Sequence, residues 1–263
     1  RMRFSFLSNG VLIGDEIAAF LSRTGRCESV QVSVDGSCAK VHDSCRGKDS
    51  FDGAIRGIRT LQRHRINVAS RVTIHRNNVH DLENIAHFLL DELGLPNFGT
   101  NSAGYMGTCR ANADDLLLNI EERKEAMATL QRLSAKYEGR ISANAGPLTE
   151  GRMWRRMEEA RAQNAPAFHN GGRLTGCGCP SNRISVRADG TIVPCNMLNH
   201  VALGRINHDS LAEVWQNSLA LNQLRNRHTI PLTGFEFCAG CPYIPYCTGN
   251  CPGLAYTLTG MVD

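Results

Sequence analysis

Residues 238–251 read CAGCPYIPYCTGNC and place Cys238, Cys241, Cys247 and Cys251 at intervals of two, five and three residues in a Pro- and Gly-rich loop. Few residues besides metal ligands would fix such a backbone, so the four thiols read as a ligand set. Working outward, Cys177, Cys179 and Cys195 bring the last third of the chain to seven of its eleven cysteines. An odd total and two-residue spacing favour metal thiolates in a reducing compartment over disulfides, so a cytoplasmic location is expected. Spacing alone leaves iron and zinc both open. A zinc ribbon could be drawn from Cys177, Cys179, Cys238 and Cys241, because zinc favours closed sets of four ligands.

The rest of the composition excludes more than it assigns. With 42% hydrophobic residues in 263, the chain can bury a sizeable core. The 29 Lys+Arg against 25 Asp+Glu give a net charge of +4 with no basic run, so nucleic acid is not expected as a partner. No stretch approaches the eighteen or so apolar residues that span a bilayer, and no membrane association is expected.

Upstream, β-type runs alternate with helix-type stretches to about residue 140, the pattern of βαβ units on a parallel sheet. Strands are expected at 2–7, 29–34, 67–74 and 95–100. Asp15 reads as the cap of a helix with Ile17, Phe20 and Leu21 on its inward face and its end at Gly25. Phe51–Gln62 gives a second helix through Ile55, Ile58 and Leu61. Val79, Leu82, Ile85, Leu89 and Leu93 form the clearest apolar stripe, closing at Gly94. Glu121–Tyr137 reads as another helix, after which the chain loosens through Asn144, Gly146, Pro147, Asn164 and Gly172. The expected organisation is a βαβ domain over 1–165 and a cysteine-rich domain over 166–263. In the latter, 183–187 and 191–194 flank Asp189-Gly190 as a hairpin. Ser210 and Glu213 form a capping box opening a helix that buries Leu211, Val214 and Trp215.

The order Cys179, ten residues, Gly190, four residues, Cys195, then Cys238, Cys241, Cys247 and Cys251 resembles the SPASM domain found behind many radical S-adenosylmethionine (SAM) enzymes, and LGRINHDSLAEVW at 203–215 is similar to that domain's internal link. LSNG at 7–10, VSVDG at 32–36 with HDSCRG at 42–47, and RVTIHRNN at 71–78 resemble later strands of a radical SAM barrel. The resemblance covers nearly the whole chain. It implies an α/β fold: a partial (β/α) barrel holding SAM at the C-terminal ends of its strands, followed by a small SPASM domain.

The same resemblance implies site residues. Ser33, Asp35 and Arg71 would line the SAM pocket, the planar fork of Arg71 suiting a carboxylate, with Ser8 and Asn9 closing a neighbouring strand end. Turn chemistry accounts equally well for Asn9-Gly10 and Asp35-Gly36. Cys177, Cys179, Cys195 and Cys251 would hold one auxiliary [4Fe-4S] cluster and Cys238, Cys241 and Cys247 a second, whose fourth ligand the family takes from further downstream. The CxxxCxxC loop for the SAM-cleaving cluster has no counterpart, so that third cluster is expected upstream and these residues alone are expected not to start radical chemistry. Cys27, Cys38, Cys45 and Cys109 read as ordinary thiols.

The implied function is modification of a peptide or protein side chain by a 5′-deoxyadenosyl radical, with an electron donor such as flavodoxin or ferredoxin as partner. Alternatives are a sulfatase or cofactor-precursor maturase of the same family, a non-catalytic iron–sulfur electron-transfer or peptide-binding protein, and a zinc-stabilised module. The seven cysteines together with the barrel segments favour iron. No catalytic residue is assigned. His42 with Asp43 could relay a proton but better explains ordering of the loop before Arg46. His75, His80, His200 and His208 read as structural or solvated, and Tyr243 and Tyr246 could screen the iron or simply pack.

Overall fold

The computed structural model describes residues 2–262 and divides into two compact units, Arg1–Trp154 and Arg155–Asp263. The first is built on five parallel strands in sequential order: β1 (Phe4–Ser8), β2 (Cys27–Ser33), β3 (Val68–Ile74), β4 (Phe98–Ser102) and β5 (Ile141–Ala143). The order never reverses, so the sheet is an arc of a (β/α) barrel and lacks the switch point of a doubly wound sheet. Between strands run α1 (Asp15–Thr24), α2 (Ala39–Arg46), α3 (Ser50–Arg63), α4 (Leu82–His87), α5 (Gly107–Ala111), α6 (Ala113–Leu116) and α7 (Ile120–Lys136).

Alternation along β3 decides which side is core. Val68, Ser70, Val72 and Ile74 are buried, whereas Ala69, Arg71 and Thr73 are half-buried on the other face. The buried face continues through Val30, Val32, Phe98 and Ile141 and packs on Ile58, Leu61, Leu82, Ile85, Leu89, Leu130 and Leu133 from the helices. The stripe beginning at Val79 is wholly buried as expected. A π turn over Phe88–Glu92 adds a residue there, so Leu89 and Leu90 both turn inward.

Several expectations need correction. The cap of α1 is Gly14; Asp15 lies in the first turn, where His64 Nε2 (2.9 Å) and Arg63 (3.2 Å) hold its carboxylate. Its buried residues are Ala18 and Leu21, while Ile17 and Phe20 are 41% and 60% exposed, because small Ala18 lets the helix sit close and turns the stripe by one position. The loosened stretch after Tyr137 instead contains β5 and a long helix, α8 (Pro147–Ala162), with Pro147 at its first position.

The second unit holds the latter part of α8, then α9 (Cys179–Asn182), a small antiparallel sheet of β6 (Ser185–Val186), β7 (Thr191–Val193) and β8 (Gly204–Arg205), and α10 (Leu211–Asn217), α11 (Leu219–Asn226) and α12 (Pro252–Thr259). The hairpin turns at Asp189, whose carboxylate accepts the Thr191 N–H (3.0 Å). Ser210 caps α10 by accepting the Glu213 N–H (3.4 Å), but only Val214 is buried. Leu211 is 56% exposed and Trp215 lies half-buried under the Arg225 guanidinium.

Candidate cofactor and cluster sites

Register sets the first site. Ser33 pairs with Arg71, Arg71 with Gly99 and Gly99 with Ser142, so these residues form one row across four strands on the face away from the helices. Arg71 is oriented by Gln31, whose side-chain oxygen accepts from Nε (3.3 Å) and Nη2 (3.2 Å). A Cβ on Gly99 would stand 3.3 Å from Arg71 Cζ, so glycine there gives the guanidinium its space. The row offers a hydroxyl and a planar cation side by side, donors suited to a carboxylate.

Ser8 and Asn9 shape the turn after β1. Ser8 Oγ accepts the Gly10 N–H (3.0 Å) and Asn9 Oδ1 the Val11 N–H (3.2 Å). Ser8 pairs with Val32, which places it on the helix-facing side, out of the Ser33–Arg71 row.

Asp35 is buried and fully engaged. Its carboxylate accepts from Arg46 Nε and from the Thr73 N–H (2.7 Å), its N–H donates to His42 Nδ1 (3.0 Å), and its carbonyl accepts from Asn78 Nδ2 (2.8 Å). It fastens the loop after β2 to the end of β3. His42 is buried against Phe51, and burial pushes its pKa down although Asp35 pulls the other way. Asp43 turns away to the start of α3, accepting from Asp49 N–H (2.9 Å), Ser50 Oγ (3.0 Å) and Phe51 N–H (2.9 Å). The pair orders the loop and is no proton relay.

Beyond these strand ends lies a cavity of about 630 Å³, walled by residues including Arg46, Thr73, His75 and Ser102 together with Cys45 and Cys109. Its size is that of a small-molecule or peptide-residue pocket.

The thiols fall into two sets. Segment 172–176 runs along 247–249: Gly172 N–H donates to Cys247 O (2.8 Å), and Thr175 and Gly176 N–H donate to Thr248 O (2.9 and 2.8 Å). Cys177 follows directly. Cys251 lies just before α12, and Gly253 lets that helix close on Met197, where a Cβ would come within 2.3 Å of Met197 Cβ. That contact carries Cys195 toward Cys251. The electrostatic neighbours agree. Burial and then Cys177 and Cys195 push the Cys179 thiol up to about 11, and burial with Cys251 and Cys177 raises Cys195 against backbone N–H groups of Met197 and Leu198. Burial with Cys247 and Cys241 raises Cys238. Short 3-10 turns at Glu236–Cys238 and Ile244–Tyr246 form this second set, and the Gly249 N–H points at Cys247 Sγ (3.4 Å).

Crowded thiols that resist ionising beside one another are relieved by cationic metal. All eleven cysteines are free. Among the described residues no three His, Cys, Asp or Glu converge on one ion position. A [4Fe-4S] cluster takes each thiolate on a different iron, so its ligands need not converge, and the residues present fit such a group. The zinc ribbon drawn across Cys177, Cys179, Cys238 and Cys241 would take two thiols from each set. Tyr246 is buried with its hydroxyl on Ala165 O (2.9 Å), Tyr243 bonds Glu158, and His200 stacks on Tyr256 at 3.7 Å, all consistent with packing roles.

Comparison with known proteins meets this geometry. Residues 1–89 match the model of the radical SAM superfamily, and residues 177–242 match SPASM, described as an iron-sulfur cluster-binding domain. Radical SAM and SPASM domains are both present in the chain. It is 28% identical to Fe-coproporphyrin III synthase of Methanosarcina barkeri, covering 95% of this chain and 64% of that protein. It is 26% identical to mycofactocin maturase MftC of Mycolicibacterium smegmatis, covering 94% and 58%. The chain thus spans roughly three-fifths of these relatives. Its fold is similar to anSMEcpe solved with AdoMet and a peptide, at a TM-score of 0.64 and 19% identity over 96% of this chain and 67% of that one. Streptococcus suis SuiB bound to precursor peptide SuiA gives 0.67 at 12%, covering 95% and 54%. Radical SAM and SPASM domains imply [4Fe-4S] clusters and SAM as cofactors.

Proposed function

We propose that this chain forms part of a radical SAM enzyme that modifies a side chain in a peptide or protein. The observation that carries the reading is the gathering of Cys177, Cys179, Cys195 and Cys251 from three separate segments, together with a second set of Cys238, Cys241 and Cys247. The first set would hold one auxiliary cluster and the second another, with a ligand supplied from outside these three. Ser33 and Arg71 would grip the aminocarboxylate end of SAM, while Asp35 keeps the adjoining loop in place. When bound, SAM and a reduced cluster on a CxxxCxxC loop outside these residues supply a hydrogen-abstracting radical. A peptide substrate accords with relatives named as maturases and with the neighbour solved on a precursor peptide. Electrons would come from a flavodoxin or ferredoxin, in a reducing cytoplasm that keeps eleven thiols free. No helix among the described residues is long and apolar enough to cross a membrane.

A second reading, action on a tetrapyrrole or other cofactor precursor, is favoured by the 28% identity to Fe-coproporphyrin III synthase and 23% to AdoMet-dependent heme synthase of the same organism. The test is iron, sulfide and zinc content of these residues after anaerobic reconstitution, followed by 5′-deoxyadenosine release from full-length protein carrying the CxxxCxxC loop, with peptide or porphyrin present. About eight iron and eight sulfide for these residues, for two four-iron clusters, with release stimulated by peptide, supports the first reading. Stimulation by porphyrin transfers it to the second, and zinc without sulfide sinks both.

A further inference from the structure

His75 stands one residue beyond β3 and is 1% exposed, yet its Nε2 has no hydrogen-bond partner. Its ring is held from the other side, because Nδ1 accepts the Asn77 N–H (3.2 Å). A nitrogen that accepts carries no proton, so the proton is on Nε2 and the orphan atom is a donor. The backbone around it is fixed as well: the His75 N–H donates to Asn78 Oδ1 (2.8 Å), and Asn78 Nδ2 is bound by Asp35 O and Thr73 O (2.8 and 2.9 Å). A buried donor left unpaired costs roughly 1–3 kcal/mol, which a well-fastened ring retains when a ligand is to satisfy it.

The same cavity wall carries Arg46. Its Nε is spent on Asp35, and its side chain remains 26% exposed, so the outer guanidinium nitrogens are available toward the cavity. Asp35 reaches the wall with its charge already answered by Arg46, and Asp115 is an exposed residue of the rim. The wall thus sets the His75 ring, whose Nε2–H is unpaired, and the Arg46 guanidinium on one recess, with Asp115 as the carboxylate at its rim. Arg71, assigned above to SAM, is not part of this wall and lies four residues, roughly 13 Å of strand, back from His75.

We propose that the His75 Nε2–H and the Arg46 guanidinium form a carboxylate-binding recess for the substrate, separate from the SAM position. This rests on the family reading of the strand ends as a reaction site and names what that site holds: a substrate presenting a carboxylate, from a peptide C-terminus, an acidic side chain or an acid group on a small molecule.

The test is calorimetric binding to the cluster-loaded full-length protein of N-acetyl-Ala-Ala with a free carboxylate, its carboxamide, N-acetyl-Ala-Glu carboxamide, and coproporphyrin III. At least one carboxylate probe is expected to bind tenfold or more tightly than the neutral carboxamide, and whichever binds best identifies the source of the carboxylate. His75→Leu is expected to erase that preference, whereas His75→Gln, which keeps an N–H at the end of the side chain, retains most of it. Equal binding of acid and amide, no binding of any carboxylate probe, or an undiminished preference in a folded His75→Leu overturns the proposal. So does displacement of the probe by SAM, which would give the recess to the cofactor. An acid preference in protein that takes up no iron would leave the recess standing and defeat the radical reading; iron uptake without the preference does the reverse.

Discussion

Asp35 shows how one residue can carry two sequence readings that only side-chain geometry separates. As the fourth residue of VSVDG it reads either as a SAM contact or as turn chemistry before Gly36. In the folded chain its N–H, its carbonyl and its carboxylate are all used inside the protein. A Cβ on Gly36 would meet the His42 amide nitrogen at 2.5 Å, so the glycine answers a close approach. Asp35→Ala would leave the largely buried Arg46 without its counterion and the Thr73 N–H without its acceptor. The expected loss is about 3 kcal/mol of unfolding free energy, with Asp35→Asn losing about half because it still accepts a hydrogen bond. Urea unfolding of the two variants checks the order. What the sequence located was the end of β2, which Ser33 closes and Asp35 follows, whereas Arg71 lies in the middle of β3. What was not legible was direction: Ser8 and Ser33 are the same residue type at the same end of adjacent strands, and only the register with Val32 and Arg71 puts them on opposite faces.

At the scale of elements, long apolar stripes and cysteine spacing were readable because each encodes a short-range period. The helix from Val79 and the antiparallel hairpin at Asp189 lie where those periods put them. The helix α8 escaped because its sequence is dominated by Arg and Glu and its opening Gly146-Pro147 looks like a break, although proline is at home in a first helical turn. Packing between elements was equally invisible. Gly57 lies in α3 with the space of its missing Cβ only 2.3 Å from the Gly10 carbonyl oxygen, so α3 closes on the turn after β1. In an open helix, Gly→Ala gains about 1 kcal/mol. Gly57→Ala is expected to reverse that sign and lower the melting temperature, because the methyl would push backbone against backbone; a rise in melting temperature would refute the contact. The cysteine sets make a second prediction at this scale. Cys195→Ala should cost about four iron while sparing the set at Cys238, and Cys238→Ala the converse. Iron analysis beside the wild type would show one shared site if either variant lost everything.

The behaviour of the barrel unit with pH follows from two histidines that the fold keeps neutral. Burial lowers the pKa of both His42 and His75; Asp35 favours their charged forms and Arg46 opposes them, with Asp43 acting on His42 as well. Each ring spends Nδ1 on a backbone N–H, an acceptor role that a protonated imidazole cannot fill. The sign follows. In the unfolded chain each histidine takes a proton near its ordinary value of about 6.5, while in the folded chain it does so only at lower pH. Between those two values the unfolded state binds more protons, so stability falls as pH falls, by up to about 1.4 kcal/mol per pH unit for each histidine. Stability should be flat above neutrality and decline from pH 6.5 toward 5, before most carboxylates begin to protonate. Hydrogen exchange of the β2 and β3 amides, converted to opening free energy at each pH, reads this in the unit that contains both rings. His75→Gln keeps a polar side chain without a titration in that range and should remove about half of the slope. A slope unchanged by that substitution would mean that His75 titrates in the folded chain as it does in the unfolded one, and the buried, unprotonated Nδ1 on which its donor role depends would have to be given up.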